Sequence, residues 1–352
     1  MIYRNKTRQI SVGSVKVGGD APISIQSMTN TDTRDVEKTC AQIDALTDAG
    51  CEIVRCAVVD VDAAKALKSI TDRSKLPVIA DIHFDYKLAI AAMENGADAI
   101  RINPGNIGSK EKVKAVVDAA KANGKVIRVG VNAGSLEKDI LSKHGVTPES
   151  LVKSAQKHIE HIESLGFYDI KVSLKASSVP LTFQAYKMFA EHSEYPLHIG
   201  VTEAGTLFAG SIKSSAGIGA LLLSGIGDTL RVSLTGDPVE EIRVGWQLLN
   251  ALEIRRRGPE IISCPTCGRT EIELVRLAEE VERRVASFTS TVSIAVMGCP
   301  VNGPGEAREA DYGIAGGKGN GLIFKKGVIV KKVPEEMIID ELFGIFKEDG
   351  VK

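Results

Sequence analysis

Short apolar runs alternate along the first two thirds of the chain with stretches whose apolar residues lie three and four positions apart. The short runs have the length and β-branched content of buried strands, and stretches such as 36–49 and 110–122 are typical of amphipathic helices. Eight strand candidates recur in this rhythm, at residues 23–28, 51–59, 77–83, 97–103, 125–132, 169–175, 196–202 and 230–234. Eight alternating repeats in about 250 residues predict an α/β fold, the TIM (β/α)8 barrel. An open, doubly wound sheet is the alternative.

Two further segments flank this repeat. The segment ISVGSVKVGGD, residues 10–20, alternates apolar and polar residues around glycines and predicts a hairpin before the barrel. The charged run RRRGPE, which begins at residue 255, predicts a boundary between a barrel domain at 1–255 and a smaller domain at 256–352. The smaller domain mixes patterns and is expected to be α+β. Its expected elements are a helix at 271–287, a strand at 292–297, a glycine-rich turn region, a hairpin at 321–332 and a helix at 335–348.

Composition and charge narrow the class of protein. The 352 residues are 43% hydrophobic and 25% charged, which is typical of globular proteins and excludes fibrous and disordered classes. With 44 Lys and Arg against 45 Asp and Glu, no global field favours nucleic acid or an anionic membrane. The start lacks the apolar core of a signal peptide and no run is long enough for a bilayer, so we expect a cytoplasmic protein. Six cysteines in two separate groups favour thiols or metal ligands over disulfides.

Polar side chains stand at the carboxyl ends of the predicted strands, where a TIM barrel forms its active site. The cations among them are Arg55, Arg101, Arg128, Lys175 and Arg231. The strand ends also carry Gln26, Met28, His83, Asn103, Asn132, Lys171, Ser173 and Ser233. A single strand-end arginine usually belongs to a structural ion pair, but the two carboxylates Asp81 and Glu203 cannot pair five cations. The excess positive charge predicts a phosphate or diphosphate ester as ligand, because guanidinium groups match phosphate oxygens in pairs.

Two of these strand-end residues are candidates for proton transfer. Glu203 ends its strand alone among small residues that leave room for a substrate, and its alternative role is that of a counter-ion for Arg231. His83 either donates to a phosphate or is a structural, hydrogen-bonded residue. His158 and His161 lie on a helical stretch rich in Lys and Glu, which predicts a solvated face and no metal site.

The sharpest chemical signal is Cys264-Pro-Thr-Cys267, followed about thirty residues later by MGCPVNGPGE, which contains Cys299 and Glu306. A CxxC pair by itself fits a zinc ribbon, a redox dithiol or an iron–sulfur centre. No histidine follows His198, and these three cysteines are the only ones after residue 230, so a four-ligand structural zinc site cannot be completed. A [4Fe–4S] cluster can use three thiolates and leave one iron for a carboxylate or a substrate. Glu306 is either that carboxylate or a cap of the next segment.

The three remaining cysteines are expected to be structural. Cys40, Cys51 and Cys56 lie on predicted helix and strand positions and are interpreted as small buried residues that the chemistry does not need.

Eight segments together resemble one known family, and they are SIQSMTNTDTRD, ADIHFD, RINPGN, VGVNAGSL, VSLKAS, HIGVTEAG, SCPTCGR and MGCPVNGPGEA. Over nearly its whole length the chain resembles the bacterial hydroxymethylbutenyl diphosphate synthases of the methylerythritol phosphate route to isoprenoids, in their shorter two-domain type. The resemblance implies a TIM barrel joined to a small α+β domain that carries a [4Fe–4S] cluster.

The resemblance also implies roles for individual residues. The implied cluster ligands are Cys264, Cys267, Cys299 and Glu306. The implied substrate, methylerythritol cyclodiphosphate, is held by Arg55, Arg101, Arg128, Lys175 and Arg231, with Asp81, His83, Asn103, Asn132 and Ser233 at the same site. Glu203 matches the acidic residue assigned to proton transfer, and Asn302 lies in the cluster loop close to the substrate.

The implied reaction is a two-electron reductive ring opening with loss of a hydroxyl as water. Reduced flavodoxin or ferredoxin is the implied electron donor, and the implied assembly is a head-to-tail homodimer with each site shared between chains. Two other hypotheses stay open: a barrel enzyme that resembles pterin-binding synthases and has a structural metal, and an iron–sulfur sensor.

Overall fold

The computed structural model of the protein describes residues 4–103, 107–299, 308–317 and 319–352. The chain divides into two compact units, Met1–Arg255 and Arg256–Lys352, and each unit has its own hydrophobic core. Within the described ranges, no helix combines the length and the apolar character that a membrane crossing requires.

An eight-stranded parallel sheet forms the centre of the first unit. Its strands are β3 (Ser24–Met28), β4 (Ile53–Ala57), β5 (Val78–Ile82), β6 (Ala99–Ile102), β7 (Val126–Asn132), β8 (Ile170–Lys175), β9 (His198–Ile199) and β10 (Thr229–Leu230). The sheet closes because Val172 in β8 forms a parallel bridge to Leu197, and its N–H donates to the carbonyl oxygen of Pro196 at 3.0 Å. The prediction of a TIM barrel is therefore confirmed, and the open sheet is excluded.

Nine α-helices in the described part of this unit surround the sheet. They are α1 (Val36–Asp48), α2 (Val61–Arg73), α3 (Tyr86–Glu94), α4 (Lys110–Asn123), α5 (Lys138–His144), α6 (Pro148–Ser164), α7 (Val179–Ala190), α8 (Leu207–Leu223) and α9 (Pro238–Ala251). Helix α2 illustrates why they form: Asp60 accepts a hydrogen bond from the Ala63 N–H at 2.8 Å and caps the first turn. The apolar face of α2, which includes Leu67 and Ile70, is then buried against the strands.

The predicted hairpin closes the amino end of the barrel. Strands β1 (Ile10–Val12) and β2 (Val15–Val17) are antiparallel. Their buried side chains pack in one cluster with strand residues that point into the barrel, namely Ile53, Ile79, Ala99 and Val126. Each buried Val or Ile side chain in this cluster contributes about 1.5–3 kcal/mol by leaving water. Because this end of the interior is apolar and closed, the polar strand residues gather toward the carboxyl ends.

The last two barrel strands are shorter than the sequence predicts. Strand β9 has only two residues, and so does β10, so both strands exist but the predicted lengths, 196–202 and 230–234, were wrong. The reason lies in Glu241 on α9, whose carboxylate accepts hydrogen bonds from the Arg231 guanidinium and from the Leu234 N–H, both at 3.0 Å. The chain after Leu230 is therefore held by helix α9 and leaves the sheet.

A five-stranded sheet forms the second unit, in the order β11 to β15. The strands are β11 (Glu260–Ser263), β12 (Ser293–Met297), β13 (Tyr312–Gly317), β14 (Asn320–Lys325) and β15 (Val328–Pro334), and the helices are α10 (Leu274–Val285) and α11 (Ile338–Glu348). The first three strands are parallel and the last two pairs are antiparallel, which agrees with the expected α+β class. Both helices contribute to the apolar core, with Leu277, Val281, Leu342 and Phe346 buried.

One strand of this sheet lies where the sequence predicts a glycine-rich turn region. Strand β13 has the sequence YGIAGG, and its glycines are required for packing. A Cβ at Gly313 would collide with the ring of Phe324, and a Cβ at Gly316 would lie 2.6 Å from Cγ1 of Ile272. Glycine inside a strand can mark such close approach as well as a turn, and that is why the turn prediction was wrong here.

Candidate active site

Asp81 is the centre of the charge network at the carboxyl end of the barrel. Its carboxylate lies 3.7 Å from Nε of Arg55, 3.2 Å from Nη1 of Arg101 and 3.4 Å from Nε2 of His83. Burial by itself would raise the pKa of Asp81, but the charges of Arg55 and Arg101 and the hydrogen bond from His83 outweigh burial and hold that pKa well below its usual range. Asp81 is therefore ionised at neutral pH and orients two of the predicted substrate-binding arginines.

Arg55 and Arg128 carry buried positive charge at this end of the barrel. Burial, together with repulsion from Arg231 and Arg101, lowers the pKa of Arg55 to about 10, against the attraction of Asp81, so the guanidinium stays charged. Arg128 is 2% exposed, and its Nε and Nη1 have no hydrogen-bond partner within the described part of the chain. A buried guanidinium with unused donors is suited to receive an anion, because the cost of its burial is then offset.

Arg231 has a counter-ion that the sequence did not reveal. Its Nε and Nη2 donate to the two carboxylate oxygens of Glu241 at 3.1 and 3.0 Å, and Glu241 also accepts from the Ser27 hydroxyl at 2.8 Å. The alternative role of Glu203 as the partner of Arg231 is therefore wrong. Glu241 lies within a helical pattern in the sequence, VEEIRVGW, and only the fold brings it to the strand end.

Glu241→Ala is expected both to destabilise the protein and to lower its turnover. Without Glu241 the nearly buried Arg231 keeps its charge but loses its partner, which typically costs about 3–5 kcal/mol of stability. We also expect turnover to fall about tenfold or more, because the guanidinium is no longer oriented. Urea unfolding and steady-state kinetics measure the two effects. Glu240→Ala is the matched control, since Glu240 pairs with the exposed Arg243 on the same helix. Equal stability of the two variants would contradict this account.

Two amide side chains line the same rim. With its amide oriented so that oxygen faces Arg101, Asn132 accepts from Nη2 of that arginine at 3.1 Å. Asn103 donates to the hydroxyl of Ser135 at 2.9 Å. Gly130 allows the Arg101 side chain to lie against β7, because a Cβ there would be only 2.7 Å from the Arg101 Nε. The predicted rim residues from β6 and β7 thus come together.

Lys175 and Ser233 also belong to the rim, and Lys175 is paired in the sheet register with Asn132. Lys175 is 8% exposed, and burial, reinforced by the charges of Arg128 and Arg231, lowers its pKa well below the ordinary value. A Cβ at Gly200 would lie 2.8 Å from the Lys175 Nζ, so a larger residue there would displace the ammonium. Ser233 is half-buried two positions after Arg231.

Glu203 is exposed and has an unusual backbone. Its φ of 54° lies in the left-handed region, which few residues other than glycine adopt. Its carbonyl oxygen accepts a hydrogen bond from the Lys213 Nζ at 3.2 Å. Strain of this kind at a strand end is found preferentially in functional sites, which supports Glu203 as a candidate.

The five cations Arg55, Arg101, Arg128, Lys175 and Arg231 are called the mouth cluster below. Among the residues that the structure describes, Asp81 and Glu241 are the carboxylates in direct contact with its members. Positive charge therefore exceeds negative charge in a largely buried region where water cannot screen it. Such a cluster is suited to a multiply charged phosphate ester, in agreement with the sequence prediction.

The sequence reasoning missed His198, which is fully buried in β9 with both ring nitrogens unpaired in the part of the chain that the structure describes. Alternation along the segment LHIG could have placed it inside the barrel, since Leu197 and Ile199 belong to the core that the strands share with the helices. His158, which we expected on a solvated face, is largely buried and lies 2.7 Å from the Glu137 carboxylate.

Cysteines of the second unit lie beyond two neighbouring parallel strands. Cys264 follows β11 and Cys299 follows β12, and Ser263 is paired with Val296, so both cysteines leave the sheet at the same end. The Gly298 N–H donates to the sulfur of Cys264 at 3.3 Å, as backbone amides do to thiolate ligands. This donor chemistry fits an iron–sulfur cluster. Cys267 is exposed, and no three metal-binding side chains converge within the described ranges. Asn302 and Glu306 lie outside those ranges.

The other three cysteines are buried in the barrel unit, as expected. Burial raises the pKa of the Cys51 thiol to about 12 and that of Cys56 to about 11, and it also raises the pKa of Cys40. Neutral thiols of this kind are poor ligands and poor nucleophiles.

Two family models match consecutive parts of the chain. The GcpE TIM-barrel domain matches residues 7–246, and the GcpE protein C-terminal domain matches residues 260–348. The chain belongs to the GcpE family. The chain is also similar, over nearly its whole length, to two relatives named 4-hydroxy-3-methylbut-2-en-1-yl diphosphate synthase (flavodoxin). The protein of Desulfotalea psychrophila is 58% identical over 99% of this chain and 97% of its own, and that of Geobacter sulfurreducens is 61% identical over 96% of each.

The GcpE barrel is also similar to solved structures with little sequence identity. The 3-dehydroquinate dehydratase of Geobacillus kaustophilus is 14% identical and covers 72% of this chain and all of its own, with a TM-score of 0.51. This likeness shows the barrel fold alone. The mouth cluster therefore has to be interpreted from its own chemistry and from the GcpE relatives.

Proposed function

We propose that this protein catalyses the two-electron reductive ring opening of 2-C-methyl-D-erythritol 2,4-cyclodiphosphate to 4-hydroxy-3-methylbut-2-enyl diphosphate. The reaction takes up two electrons and two protons and releases one water. The observation that carries the proposal is the mouth cluster, a buried excess of cations, in a chain whose near full-length relatives bear the name of this synthase. A pterin-binding enzyme or a sensor is not favoured, since neither agrees with those names.

The mouth cluster binds the diphosphate and stabilises the charge that develops when the ring opens. Cleavage of the ring C–O bond leaves negative charge on a phosphate oxygen, and fixed cations in a water-poor site lower the energy of that state. Arg55 and Arg101 are already oriented by Asp81 and Arg231 by Glu241, so little reorganisation is needed. Arg128, with its unused donors, takes a central phosphate oxygen.

Glu203 is the proposed proton donor to the departing hydroxyl. Glu203 lies four residues beyond the carboxyl end of β9, and its side chain is exposed. His83, whose side chain is 53% exposed, donates from Nε2 to the Asp81 carboxylate, and we assign its other ring nitrogen, Nδ1, to the contact with a phosphate. General acid catalysis of this kind contributes about 10²–10⁴-fold.

Cys264, Cys267 and Cys299 would hold a [4Fe–4S] cluster, with Glu306 as a displaceable fourth ligand and Asn302 beside the substrate. When bound, the cluster supplies single electrons and a Lewis-acidic iron. Reduced flavodoxin, which the names of the relatives include, or a ferredoxin would provide the electrons. We place the protein in the cytoplasm, where reducing conditions keep thiols available for the cluster.

Anaerobic turnover tests the proposal directly. Cluster-loaded protein, reduced flavodoxin and the cyclic diphosphate are expected to yield the linear diphosphate, measured by phosphorus NMR. Glu203→Gln and Glu306→Ala are expected to be at least tenfold slower, with the cyclic diphosphate still bound by Glu203→Gln. Colourless, iron-free protein after careful reconstitution, or absence of product from loaded wild type, would overturn the assignment.

We also propose a head-to-tail homodimer in which the barrel of one chain acts with the cluster of its partner. A chain with Arg128→Ala and a chain with Cys299→Ser are each inactive under the proposed roles. Mixed dimers then contain one site with both an intact barrel and an intact cluster, so mixing is expected to restore activity. If the mixture stays as inactive as its components while dimers exchange, the sites are not shared.

A further inference from the structure

Polar side chains fill the barrel interior beneath the mouth cluster. Those with unpaired polar atoms inside the described part of the barrel include Gln26, Arg128, Lys171, Ser173 and His198. Buried polar groups in proteins are normally hydrogen-bonded, so such an accumulation requires an explanation. Lys171 and His198 are fully buried, and the proposed reaction assigns neither of them a role.

Lys171 lies deeper in the barrel than Lys175, at the level of Arg128 in the sheet register. Along β8 the side chains of Ile170, Val172 and Leu174 pack toward the helices, so Lys171 and Lys175 point into the barrel. Four residues of strand separate these two lysines by about 13 Å along β8, at about 3.3 Å per residue. In the sheet register Lys171 is paired with Arg128 of β7. Lys171 therefore influences a bound anion through Arg128.

The charges that face Lys171 are mostly positive. The positive charges are Arg128 on β7 and Arg55 on β4, the negative charge is the carboxylate of Asp228 before β10, and the neutral ring of His198 on β9 is a further titratable neighbour. Asp228 is already occupied, since it accepts from Nη2 of Arg4 at 2.7 Å, from the Thr7 hydroxyl at 2.9 Å and from the Leu197 N–H at 2.7 Å. Burial, followed by repulsion from Arg128, lowers the pKa of Lys171 to about 7.

We propose that Lys171 takes up a proton from solvent when an anionic diphosphate occupies the mouth cluster. The amine becomes an ammonium because the phosphate charges offset the repulsion from Arg128 and Arg55. Lys171 is then a positioning residue whose new charge strengthens the hold of the barrel on its anion. The identity of the anion rests on the function proposed above, whereas the proton uptake rests on the buried arrangement of Lys171, Arg128 and Asp228.

The pH dependence has a definite sign. Binding raises the pKa of Lys171 above its value of about 7 in the free protein, so affinity is greatest below that pH and declines as pH rises through it. The cyclic diphosphate contributes no proton of its own, because neither phosphorus has the second ionisation near pH 6 of a phosphate monoester. Burial, with the charges of Lys175 and Arg128, lowers the pKa of His198 and keeps its ring neutral.

Calorimetric titration measures the uptake directly. Oxidised, cluster-loaded protein is titrated anaerobically with the cyclic diphosphate at about pH 8, without reductant, in buffers of different ionisation enthalpy. Wild type is expected to take up about 0.5–1 proton per bound ligand, and Lys171→Met close to none. The wild-type Kd is expected to rise up to about tenfold per pH unit above pH 7, with a flatter profile in Lys171→Met. Lys187→Met, on the exposed face of α7, is the matched control and should behave as wild type.

The outcomes separate this inference from the proposed function. Turnover and binding without proton uptake would overturn the role of Lys171 and leave the synthase assignment intact. Uptake that persists in Lys171→Met would transfer the role to another group, with the buried amine of Lys175 as the first to examine. Failure of the wild type to bind the cyclic diphosphate would overturn both. If Lys171→Met does not fold, absence of uptake in the wild type still decides against the proposal.

Discussion

Arg128→Met is expected to lower turnover of the cyclic diphosphate by about 10²–10³-fold while the fold remains at least as stable as in the wild type. Arg128 is buried with two donor nitrogens unpaired in the described structure, and Arg55 and Arg101 lie close enough to repel it. In the folded protein without ligand its charge is therefore a cost. With a diphosphate bound, the same charge stabilises the phosphate oxygen from which the carbon departs. Steady-state kinetics and urea unfolding report the two opposite effects.

Arg243→Met is the matched control for this prediction. Arg243 lies on α9, is half-exposed and pairs with Glu240 one helical turn away. Its loss is expected to change stability by no more than about 0.5 kcal/mol and turnover hardly at all. If Arg128→Met converts the cyclic diphosphate at the wild-type rate, Arg128 is not part of the substrate site. A large loss of stability would show that Arg128 has a structural partner.

Cys299→Ser is expected to remove the iron–sulfur cluster and, with it, turnover by at least about 10³-fold. Serine is a much harder and less acidic ligand than a thiolate, and only three cysteines are proposed to hold the cluster. Visible absorption, iron and labile sulfide should fall together, and binding of the cyclic diphosphate should persist because the barrel is unchanged. Anaerobic spectroscopy and metal analysis measure these quantities.

Cys40→Ser provides the comparison at a cysteine outside the proposed cluster. Cys40 is buried on α1, where a serine hydroxyl can donate to the carbonyl group one turn earlier. Iron content and turnover are expected to match the wild type. Full iron content in Cys299→Ser, or its loss in Cys40→Ser, would contradict the assignment of ligands.

The local pattern of apolar and polar residues was sufficient to predict the barrel. Apolar runs at a period of two and helical stretches at a period of 3.6 depend on nearest neighbours, so β3 to β8 could be predicted from the chain. The error at 230–234 came from a long-range effect, because Glu241 on α9 draws Arg231 and Leu234 away from the sheet. Strand β13 was missed for a similar reason, since its glycines serve contacts with Phe324 and Ile272 that are distant in sequence.

Strand-end chemistry was predictable because parallel strands bring their carboxyl ends together whatever the loops do. The structure brings Arg55, Asp81, His83 and Arg101 into one network, while their roles toward substrate remain predictions. The pairing of each cation was not predictable. Ion pairs form over a few ångströms between elements far apart in the chain, so the partner of Arg231 could be found only in three dimensions.

By itself the sequence determined the alternation that makes a (β/α)8 barrel, the cations at its strand ends and the three cysteines of the smaller unit, because each of these depends on residue type and short-range spacing. Tertiary structure alone decided that Glu241 holds Arg231 and that Asp81 stays ionised between two arginines. It also decided that Lys171 lies buried among positive charges, near the carboxylate of Asp228, which is already engaged. Charge states and pairings depend on burial and on distances across the barrel, and those quantities do not exist until the chain has closed on itself.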